Sequence, residues 1–405
     1  MGLSGKEKLR NICQIFGNDN LSIPVLSEQE WIDLFEFTQK QGVLCYLYYS
    51  LSQKKSENII PEDWLRRIKL QLMHFSVGNI KHLQNLEEIS LIFKKAQIPV
   101  LLLKGSHLAF HVYPSPALRP MGDIDLFVRE EYVLKGVDAL VASGYQSNYF
   151  VFENLKKYNR HLPPFTKAGR RSIEFHWTLI QPKFQTPDTE RVTNWLIDEI
   201  EEKQFGNGSA LVFKPSAIVF QIMLHIGLND ELRSSLKNLL DITVIIQKYQ
   251  NDIDWDLVSD KIIETSYRRR FALVGWLAKN IVSADIPDHF FQVLNVDLSK
   301  EIKEAALNRI IYFSDIDSEN VIPILYHANL LQKIVIILKY VFMSPSKMRF
   351  KHNLKNNWEV FKYYPKRLFN LTKTYKSDIL KTLRANEELM DKTKEEILLR
   401  DWLGN

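Results

Sequence analysis

Cysteine, glycine and proline are all scarce in this chain of 405 residues, and each shortage excludes a class of protein. The two cysteines, Cys13 and Cys45, are too few for a disulfide framework or a cysteine-rich metal site. Fifteen glycines and fifteen prolines exclude collagen-like and linker-dominated chains. The longest apolar run, residues 334–343, is interrupted by Lys339 and is far shorter than the roughly 18 residues of a membrane span. The N-terminal segment lacks the apolar region of a signal peptide, so we expect a cytoplasmic protein without a transmembrane segment.

Positive charge is concentrated towards the C-terminus. Residues 333–384 contain 13 lysines and arginines and two acids, whereas the whole chain has a formal net charge of +5. Such a segment can bind an anionic partner (nucleic acid, a membrane surface or an acidic protein), or it can consist of solvated helix faces. The interleaved aromatic residues Trp358, Phe361 and Phe369 favour the second interpretation, since we expect them to form a buried side.

The periodicity of apolar residues changes twice along the chain and predicts three parts. Residues 1–96 have a helical period and are expected to form a helical N-terminal region. Residues 97–210 combine short apolar runs with helical stretches, which predicts an α+β core with a mixed or antiparallel sheet. Residues 211–405 return to the helical period and are expected to form a helical C-terminal domain that includes the basic segment 333–384.

Short apolar runs within the predicted core mark its strands. The segment between the last of these runs and the C-terminal helices, residues 182–208, is expected to be a transition with one helix near 191–201. Strands are predicted at 98–103, 123–128, 149–153, 161–166 and 172–179.

Asp123 and Asp125 are the sharpest candidates for chemistry. In a strand, residues two apart point to the same face, so the two carboxylates project together while Ile124 and Leu126 point into the core. Two like charges held side by side repel each other, and a divalent cation relieves that repulsion. Carboxylate oxygens suit Mg²⁺ or Mn²⁺, so the pair predicts a metal site.

The later strand repeats this alternation. Glu174 and His176 share one face of the predicted strand 172–179, and Phe175 lies on the other. Glu174 is a candidate third carboxylate of the metal cluster or a base for an acceptor hydroxyl. His176 is a candidate for binding phosphate, orienting a ligand or exchanging protons.

Phosphate contacts are predicted upstream of the aspartates. Lys104, Gly105 and Ser106 stand where a buried strand ends and a short helix begins. Glycine lets a phosphate approach the backbone, the Ser106 hydroxyl can donate to it, and Lys104 adds a positive charge. Arg119, in the proline-rich loop before the aspartates, is a candidate for neutralising phosphate charge bidentately.

Two polar residues on predicted helices of the C-terminal part are further candidates. His225 and Asp241 interrupt apolar helix faces, where an unpaired polar group is costly, so both are candidates for lining a cleft. Surface-facing or paired side chains are an equally good interpretation, and Lys237, one turn before Asp241, is a candidate ion-pair partner.

The order of these motifs resembles a known family. Leu-Leu-Leu-Lys-Gly-Ser, then Leu-Arg-Pro-Met-Gly-Asp-Ile-Asp-Leu-Phe-Val, then Ile-Glu-Phe-His-Trp, covering roughly residues 95–180, resembles the uncharacterised bacterial nucleotidyltransferase family of the DNA polymerase β-like superfamily. The resemblance implies a small α+β nucleotidyltransferase core with a mixed sheet, flanked by helical regions. It implies that Gly105 and Ser106 bind the triphosphate and that Asp123, Asp125 and Glu174 form the metal-binding and catalytic set. Lys104, Arg119 and His176 also fall on positions that the family favours.

The implied activity is a metal-dependent transfer. A nucleoside monophosphate would move from an NTP, with ATP the default, to an unidentified acceptor, a hydroxyl or phosphate of a small molecule, peptide or protein, with release of pyrophosphate. Mg²⁺ or Mn²⁺ would be the cofactor, and segment 333–384 could hold an anionic partner. The alternatives are a catalytically silent NTP-binding sensor or scaffold and a metal-dependent phosphohydrolase.

Overall fold

The chain forms two compact units, residues 1–297 and 298–405. The structure is a computed structural model that describes residues 2–17, 23–148, 151–312, 348, 358–369 and 387–404. Of residue 154 and of residues 387–393 it describes the backbone alone. The three-part division at residues 96 and 210 stays a prediction.

Helices make up most of the first unit. The four that precede the sheet are α1(Gly5–Phe16), α2(Glu28–Lys40), α3(Leu44–Gln53) and α4(Glu62–Lys95). Those that follow the first strand are α5(Gly105–His111), α6(Val133–Ala142), α7(Phe152–Leu155), α8(Pro187–Asp198), α9(Pro215–Leu224), α10(Leu236–Tyr249), α11(Trp255–Ile263), α12(Arg268–Ile281) and α13(Asp288–Leu294). A single π-helical turn, His225–Asn229, continues α9.

The helix starts follow local capping chemistry. At α2 the Ser27 hydroxyl accepts from the Glu30 backbone N–H, and the Glu30 carboxylate accepts from the Ser27 N–H, which completes a capping box. Helix α4 is one continuous helix of 34 residues, about 50 Å long at 1.5 Å per residue. It is long enough to pack on the sheet with one half and to extend beyond it with the other.

One five-stranded mixed sheet lies at the centre of the first unit. The spatial order is β3-β2-β1-β5-β4. The β2–β3 and β1–β5 pairs are parallel, and the β1–β2 and β4–β5 pairs are antiparallel. The strands are β1(Leu101–Leu102), β2(Ile124–Phe127), β3(Ile173–His176), β4(Ile200–Phe205) and β5(Gly208–Phe213). The predicted α+β fold, a small core with a mixed sheet between helical regions, is confirmed.

The hydrophobic core lies between one face of this sheet and α4. Ile124 and Leu126 of β2 and Ile173 and Phe175 of β3 are fully buried there. Phe93 of α4 packs on Phe175, with ring centroids 5.8 Å apart. Because side chains alternate along a strand, the intervening residues of both strands face away from α4. The predicted division of these strands into core positions and carboxylate positions is therefore correct.

Two of the predicted strands take other forms. Of the predicted strand 149–153, residues 149 and 150 lie outside the described residues. Residues 152–155 are the short helix α7, because an i, i+3 spacing on a helix lets Phe152 and Leu155 both turn inward. Phe152 meets the ring of Trp177 edge to face, with centroids 5.0 Å apart. Residues 161–166 make isolated antiparallel bridges instead of a regular strand: His161 and Phe165 bridge to β3, and Thr166 bridges to Gln146.

The transition expected at 182–208 contains the predicted helix near 191–201, as α8, and also a hairpin that was not predicted. Helix α8 ends at Asp198, and β4 and β5 follow, joined by Gly206 and Asn207, with φ +61° at the glycine. Strand β4 has no apolar pattern to mark it in the sequence, because its Glu-Glu-Lys-Gln stretch is polar. The Gly-Asn pair was the signal for the hairpin, since such pairs fit a tight two-residue turn.

The second unit contains two helices whose ends are assigned, α14(Lys300–Ile311) and α15(Glu387–Trp402). They are joined by Arg309, whose Nε donates to Glu396 at 2.9 Å, and by Asn308, whose amide donates to Glu395 at 2.8 Å. None of the helices in the described ranges combines the length and apolar character needed to cross a membrane.

Most of the basic segment 333–384 lies outside the described residues. Residues 358–369 are helical, and there the expectation of a buried aromatic side is wrong: Trp358 and Phe361 are 78% and 62% exposed. The buried positions are Val360 and Arg367, seven residues apart, so the opposite face of this helix turns inward.

Candidate active site

The parallel pairing of β2 with β3 brings the predicted carboxylates together. Asp125 is the register partner of Glu174, and Phe127 is that of His176. Nε2 of His176 donates to Oδ1 of Asp125 at 2.9 Å and lies 3.5 Å from Oε2 of Glu174. One ligand atom from each of Asp125, Glu174 and His176 lies within 4.8 Å of the others. Two segments fifty residues apart thus form one acidic cluster.

Charge and burial give the three carboxylates of this site different properties. Burial alone would raise the pKa of Asp125, but the Lys104 ammonium and the His176 hydrogen bond hold it well below its usual range. A hydrogen bond from His176 lowers the pKa of Glu174 against the effect of burial. The pKa of Asp123 is raised, first by burial and then by the negative charges of Asp125 and Glu174. Asp123 therefore borders the cluster, and among the described residues no cation forms a hydrogen bond or ion pair with its carboxylate.

Lys104 sits at the turn from β1 into α5 with an unusual backbone. Its φ of 45° and ψ of −121° lie where residues other than glycine are rarely found. Its Nζ donates to Oδ1 of Asp125 at 3.0 Å. The strained turn thus brings the Lys104 ammonium into hydrogen-bond contact with the buried Asp125 carboxylate, which also binds His176.

Gly105 and Ser106 are both buried behind this turn. A Cβ added to Gly105 would lie 2.3 Å from Nη1 of Arg119, so a side chain has no room there. Ser106 Oγ lies 3.0 Å from Nε2 of His82, a buried histidine of α4. His82 was not among the residues predicted from the sequence, because nothing in the periodicity of α4 distinguishes it from a core histidine.

Arg119 and Asp241, two separately predicted site residues, bind each other. Nε and Nη2 of Arg119 donate to Oδ1 and Oδ2 of Asp241 at 2.9 and 2.7 Å. The Tyr113 hydroxyl also donates to Oδ1 of Asp241, at 2.7 Å, and all three side chains are buried. Asp241 thus anchors α10 to the loop before Asp123.

Lys237 lies on the same face of α10, one turn before Asp241. Its stem packs on Gly42, since a Cβ built there would lie 3.6 Å from the Lys237 Cβ. The pKa of Lys237 is lowered, mainly by burial and by Arg119, and Asp241 and Asp123 oppose this. Among the described residues no carboxylate lies within ion-pair distance of its ammonium, so the expected Lys237–Asp241 pair does not form. Lys237 is therefore a half-buried cation near Asp123.

His225 lies in the π-helical turn after α9. It is buried, and its Nε2 is 3.3 Å from Oδ1 of Asp230. Burial and the positive charges of Lys104 and Arg160 lower its pKa well below the usual range, so the imidazole is neutral near pH 7. Single π-helical turns within helices are frequent at functional sites. The charges of Lys104 and Asp125 both act on the pKa of His225, so this turn lies near the acidic cluster.

The fold and the site together define an α+β protein with an acidic candidate metal centre at the edge of two parallel strands. A family model described as "Uncharacterised nucleotidyltransferase" matches residues 27–283, more than half of the chain, and the chain belongs to this family. The match extends from α2 to the end of α12 and includes all five strands. The comparison with curated proteins gave no match, and neither did the comparison with solved structures.

Proposed function

We propose that this protein is a metal-dependent nucleotidyltransferase that moves a nucleoside monophosphate from an NTP to an acceptor and releases pyrophosphate. The observation that carries the proposal is the convergence of Asp125, Glu174 and His176 within 4.8 Å in a chain of the nucleotidyltransferase family. Structure alone gains little from placing carboxylates side by side, whereas a cation makes the arrangement favourable.

The donor set fits Mg²⁺ or Mn²⁺. Asp123, Asp125 and Glu174 offer the carboxylate oxygens that these hard cations prefer. Both hydrogen bonds to Asp125 fall on Oδ1, so its Oδ2 receives none from the described side chains and is available as a ligand. When bound, the metal supplies neutralisation of the phosphate charge and activation of the attacking oxygen.

The cations around the cluster suit a triphosphate. Lys104 stands at the strained turn, and Ser106 follows it with a hydroxyl. Lys237 of α10 is a half-buried cation near Asp123. Arg160, also half-buried, lies beside the C-terminal end of β3, where its backbone carbonyl accepts from the Trp177 N–H. Arg119 uses two nitrogens on Asp241 and turns the third towards Gly105, so we assign it to holding the phosphate turn.

The proposed step is an in-line displacement at the α-phosphorus. The acceptor oxygen forms a bond to the α-phosphorus, and the bond from that phosphorus to the oxygen bridging to the β-phosphate breaks. Pyrophosphate leaves with that bonding pair. Glu174 acts either as a base or as a metal ligand. As a base, its carboxylate takes the acceptor proton and passes it to solvent; as a ligand, it leaves the proton to pass to solvent directly. His176 holds Asp125 and Glu174 in register throughout.

The identity of the substrates belongs to the same proposal. ATP is the default NTP, and the acceptor is a hydroxyl or phosphate of a small molecule, peptide or protein. Segment 333–384 is the candidate site for an anionic partner, and the expected location is the cytoplasm of a bacterial cell.

The experiment is a transfer assay with each of the four NTPs labelled at the α-phosphate, Mg²⁺ or Mn²⁺, and a cell lysate as acceptor pool. Label that moves to a macromolecule or metabolite, and is lost in Asp125→Asn but not in the exposed-residue control Asp138→Asn, supports the proposal. Free labelled nucleotide released in a metal-dependent way without transfer indicates a phosphohydrolase. ATP binding without any turnover in the presence of lysate indicates a sensor or scaffold. Either of these two results overturns the transferase assignment.

A further inference from the structure

His82 connects the long helix α4 with the Lys-Gly-Ser turn. Its Nε2 lies 3.0 Å from the Ser106 Oγ, and both side chains are almost fully buried. This is the one side-chain hydrogen bond that Ser106 makes within the described part of the chain. The position of the proton on the His82 ring therefore determines whether the Ser106 hydroxyl donates or accepts this hydrogen bond.

The two nitrogens of the His82 ring have different surroundings. Nδ1 is buried and has no hydrogen-bond partner among the described residues. Burial, with the nearby charges of Arg171 and Arg119, lowers the pKa of His82 to about 4, so the ring is neutral near pH 7. A neutral ring carries one proton, on either Nδ1 or Nε2.

The two tautomers differ in cost. With the proton on Nδ1, a buried N–H has no acceptor, and the Ser106 hydroxyl must donate its only hydrogen to Nε2. With the proton on Nε2, the ring donates to Ser106 Oγ, and Nδ1 keeps only an unused lone pair. Buried donors without acceptors are rarer in proteins than buried acceptors without donors, and an unmade buried hydrogen bond costs about 1–3 kcal/mol.

We propose that His82 is a positioning residue that carries its proton on Nε2 and donates it to Ser106, which leaves the serine hydroxyl hydrogen free for a phosphate oxygen. The inference rests on the proposed function, in which Ser106 contacts the triphosphate. A hydroxyl has one hydrogen to donate, so a donor on its lone pair directs that hydrogen elsewhere. Among the described residues, His82 of α4 is thus the side chain that can donate a hydrogen bond to Ser106.

The first test reads the tautomer without any nucleotide. The protein is labelled with ¹⁵N-histidine, and the proton-bearing nitrogen of each of the ten histidines is identified by long-range ¹H–¹⁵N correlation. The signal lost in His82→Gln, or in His82→Asn if that variant folds better, belongs to His82. A neutral ring protonated on Nε2 at pH 7 is expected. A proton on Nδ1, or a charged ring, overturns the proposal.

The second test measures ATP affinity in the presence of Mg²⁺. The glutamine amide can replace Nε2 as a donor, whereas the shorter asparagine amide reaches only the position of Nδ1. We expect His82→Gln to stay within about twofold of the natural chain, and His82→Asn and Ser106→Ala each to weaken ATP about tenfold, or about 1.4 kcal/mol. The double variant His82→Asn/Ser106→Ala should be no weaker than Ser106→Ala alone. Additive losses overturn the proposal.

The two tests separate the ways in which the inference can fail. If Ser106→Ala binds ATP as well as the natural chain, the phosphate contact is wrong, whatever the tautomer. If Ser106→Ala weakens ATP but His82 carries its proton on Nδ1, the proposed function stands and the role of His82 is wrong.

Discussion

Arg119 and Asp241, 122 positions apart in the sequence, form a buried pair with two hydrogen bonds, of 2.9 and 2.7 Å. The pair connects the loop that leads into Asp123 with the middle of α10. Because Nη1 of Arg119 lies against Gly105, the same guanidinium also supports the phosphate turn. A residue predicted from the sequence as a phosphate contact is thus part of the internal framework that holds the site.

This pair predicts a large loss of stability when one partner is removed. Arg119→Met and Asp241→Asn are each expected to lower the free energy of unfolding by about 3–5 kcal/mol. The first leaves the buried Asp241 carboxylate without its counter-charge, and the second leaves the buried Arg119 guanidinium without its own. The double variant should lose much less than the sum, which urea unfolding of all four proteins would measure. If Arg119→Met instead keeps its stability and only weakens ATP binding, Arg119 is a direct phosphate ligand.

The close approach of Arg119 predicts that any side chain at position 105 destabilises the protein. Gly105→Ala places a methyl group 2.3 Å from Nη1 of Arg119, and we expect a loss of about 1–3 kcal/mol as well as reduced nucleotide affinity. Gly122, next to Asp123, is the matched control, since a Cβ there meets nothing within 4 Å. Thermal unfolding of Gly105→Ala and Gly122→Ala tests this; equal losses in the two variants would contradict it.

Asp123, directly before β2, and Asp125 within it should respond to neutralisation with opposite signs in metal-free protein. Asp125→Asn destabilises, since it removes the charge that binds Lys104 and His176, whereas Asp123→Asn is neutral or stabilising because it relieves repulsion. The pKa of Asp125 is lowered, so its contribution is complete above about pH 4 and is lost as pH falls through its folded-state pKa. The pKa of Asp123 is raised, so its unfavourable contribution disappears on acidification.

Urea unfolding with a chelator between pH 3 and 7 measures both effects. We expect both variants to lose nucleotidyl transfer, so that stability and activity change in different directions for Asp123→Asn. A stabilised Asp125→Asn would show that the bonds from Lys104 and His176 do not compensate for the burial of that carboxylate.

Lys237 is expected to contribute to binding of the triphosphate. Its ammonium has electrostatic contact with Asp123 but no ion-pair partner in the described structure, so an incoming phosphate is its natural counter-charge. We expect Lys237→Met to weaken ATP about tenfold and AMP much less, in calorimetric titrations. Lys248→Met, an exposed lysine of the same helix, is the control. Equal weakening of ATP and AMP would assign Lys237 to the nucleoside or to the fold instead.

A buried histidine should make the protein sensitive to acid. His107 of α5 is buried, and neither of its ring nitrogens has a hydrogen-bond partner among the described residues. Burial lowers its pKa to about 3, so between about pH 6.5 and pH 3 the unfolded chain binds a proton that the folded chain does not. Stability therefore falls with decreasing pH, by up to about 1.4 kcal/mol per unit from this residue.

The variant His107→Leu should flatten this dependence and keep or raise the stability at pH 7. Urea unfolding at several pH values measures the slope, and His74→Leu, which removes an exposed imidazole of α4, is the control. An unchanged slope in His107→Leu would show that the buried ring acquires its proton within the folded state.

Alternation within short strands was readable from the sequence. Ile124 and Leu126 on one face and Asp123 and Asp125 on the other follow from the two-residue period of a strand, whatever surrounds it. The hairpin of β4 and β5 was missed because its first strand is polar and lies at the sheet edge, where packing imposes no apolar pattern.

Local chemistry alone determined the capping box at Ser27, the strand that carries Asp125 with Asp123 directly before it, and the strand that carries Glu174 and His176, since each depends on neighbours within a few residues. Only the tertiary structure determined which residues of other elements these side chains contact. The parallel register set Asp125 beside Glu174, α4 brought His82 to Ser106, and α10 brought Asp241 to Arg119 and Lys237 towards Asp123. These contacts span 24 to 122 positions, and no local period or propensity encodes them, because they arise only when separate apolar faces pack into one core.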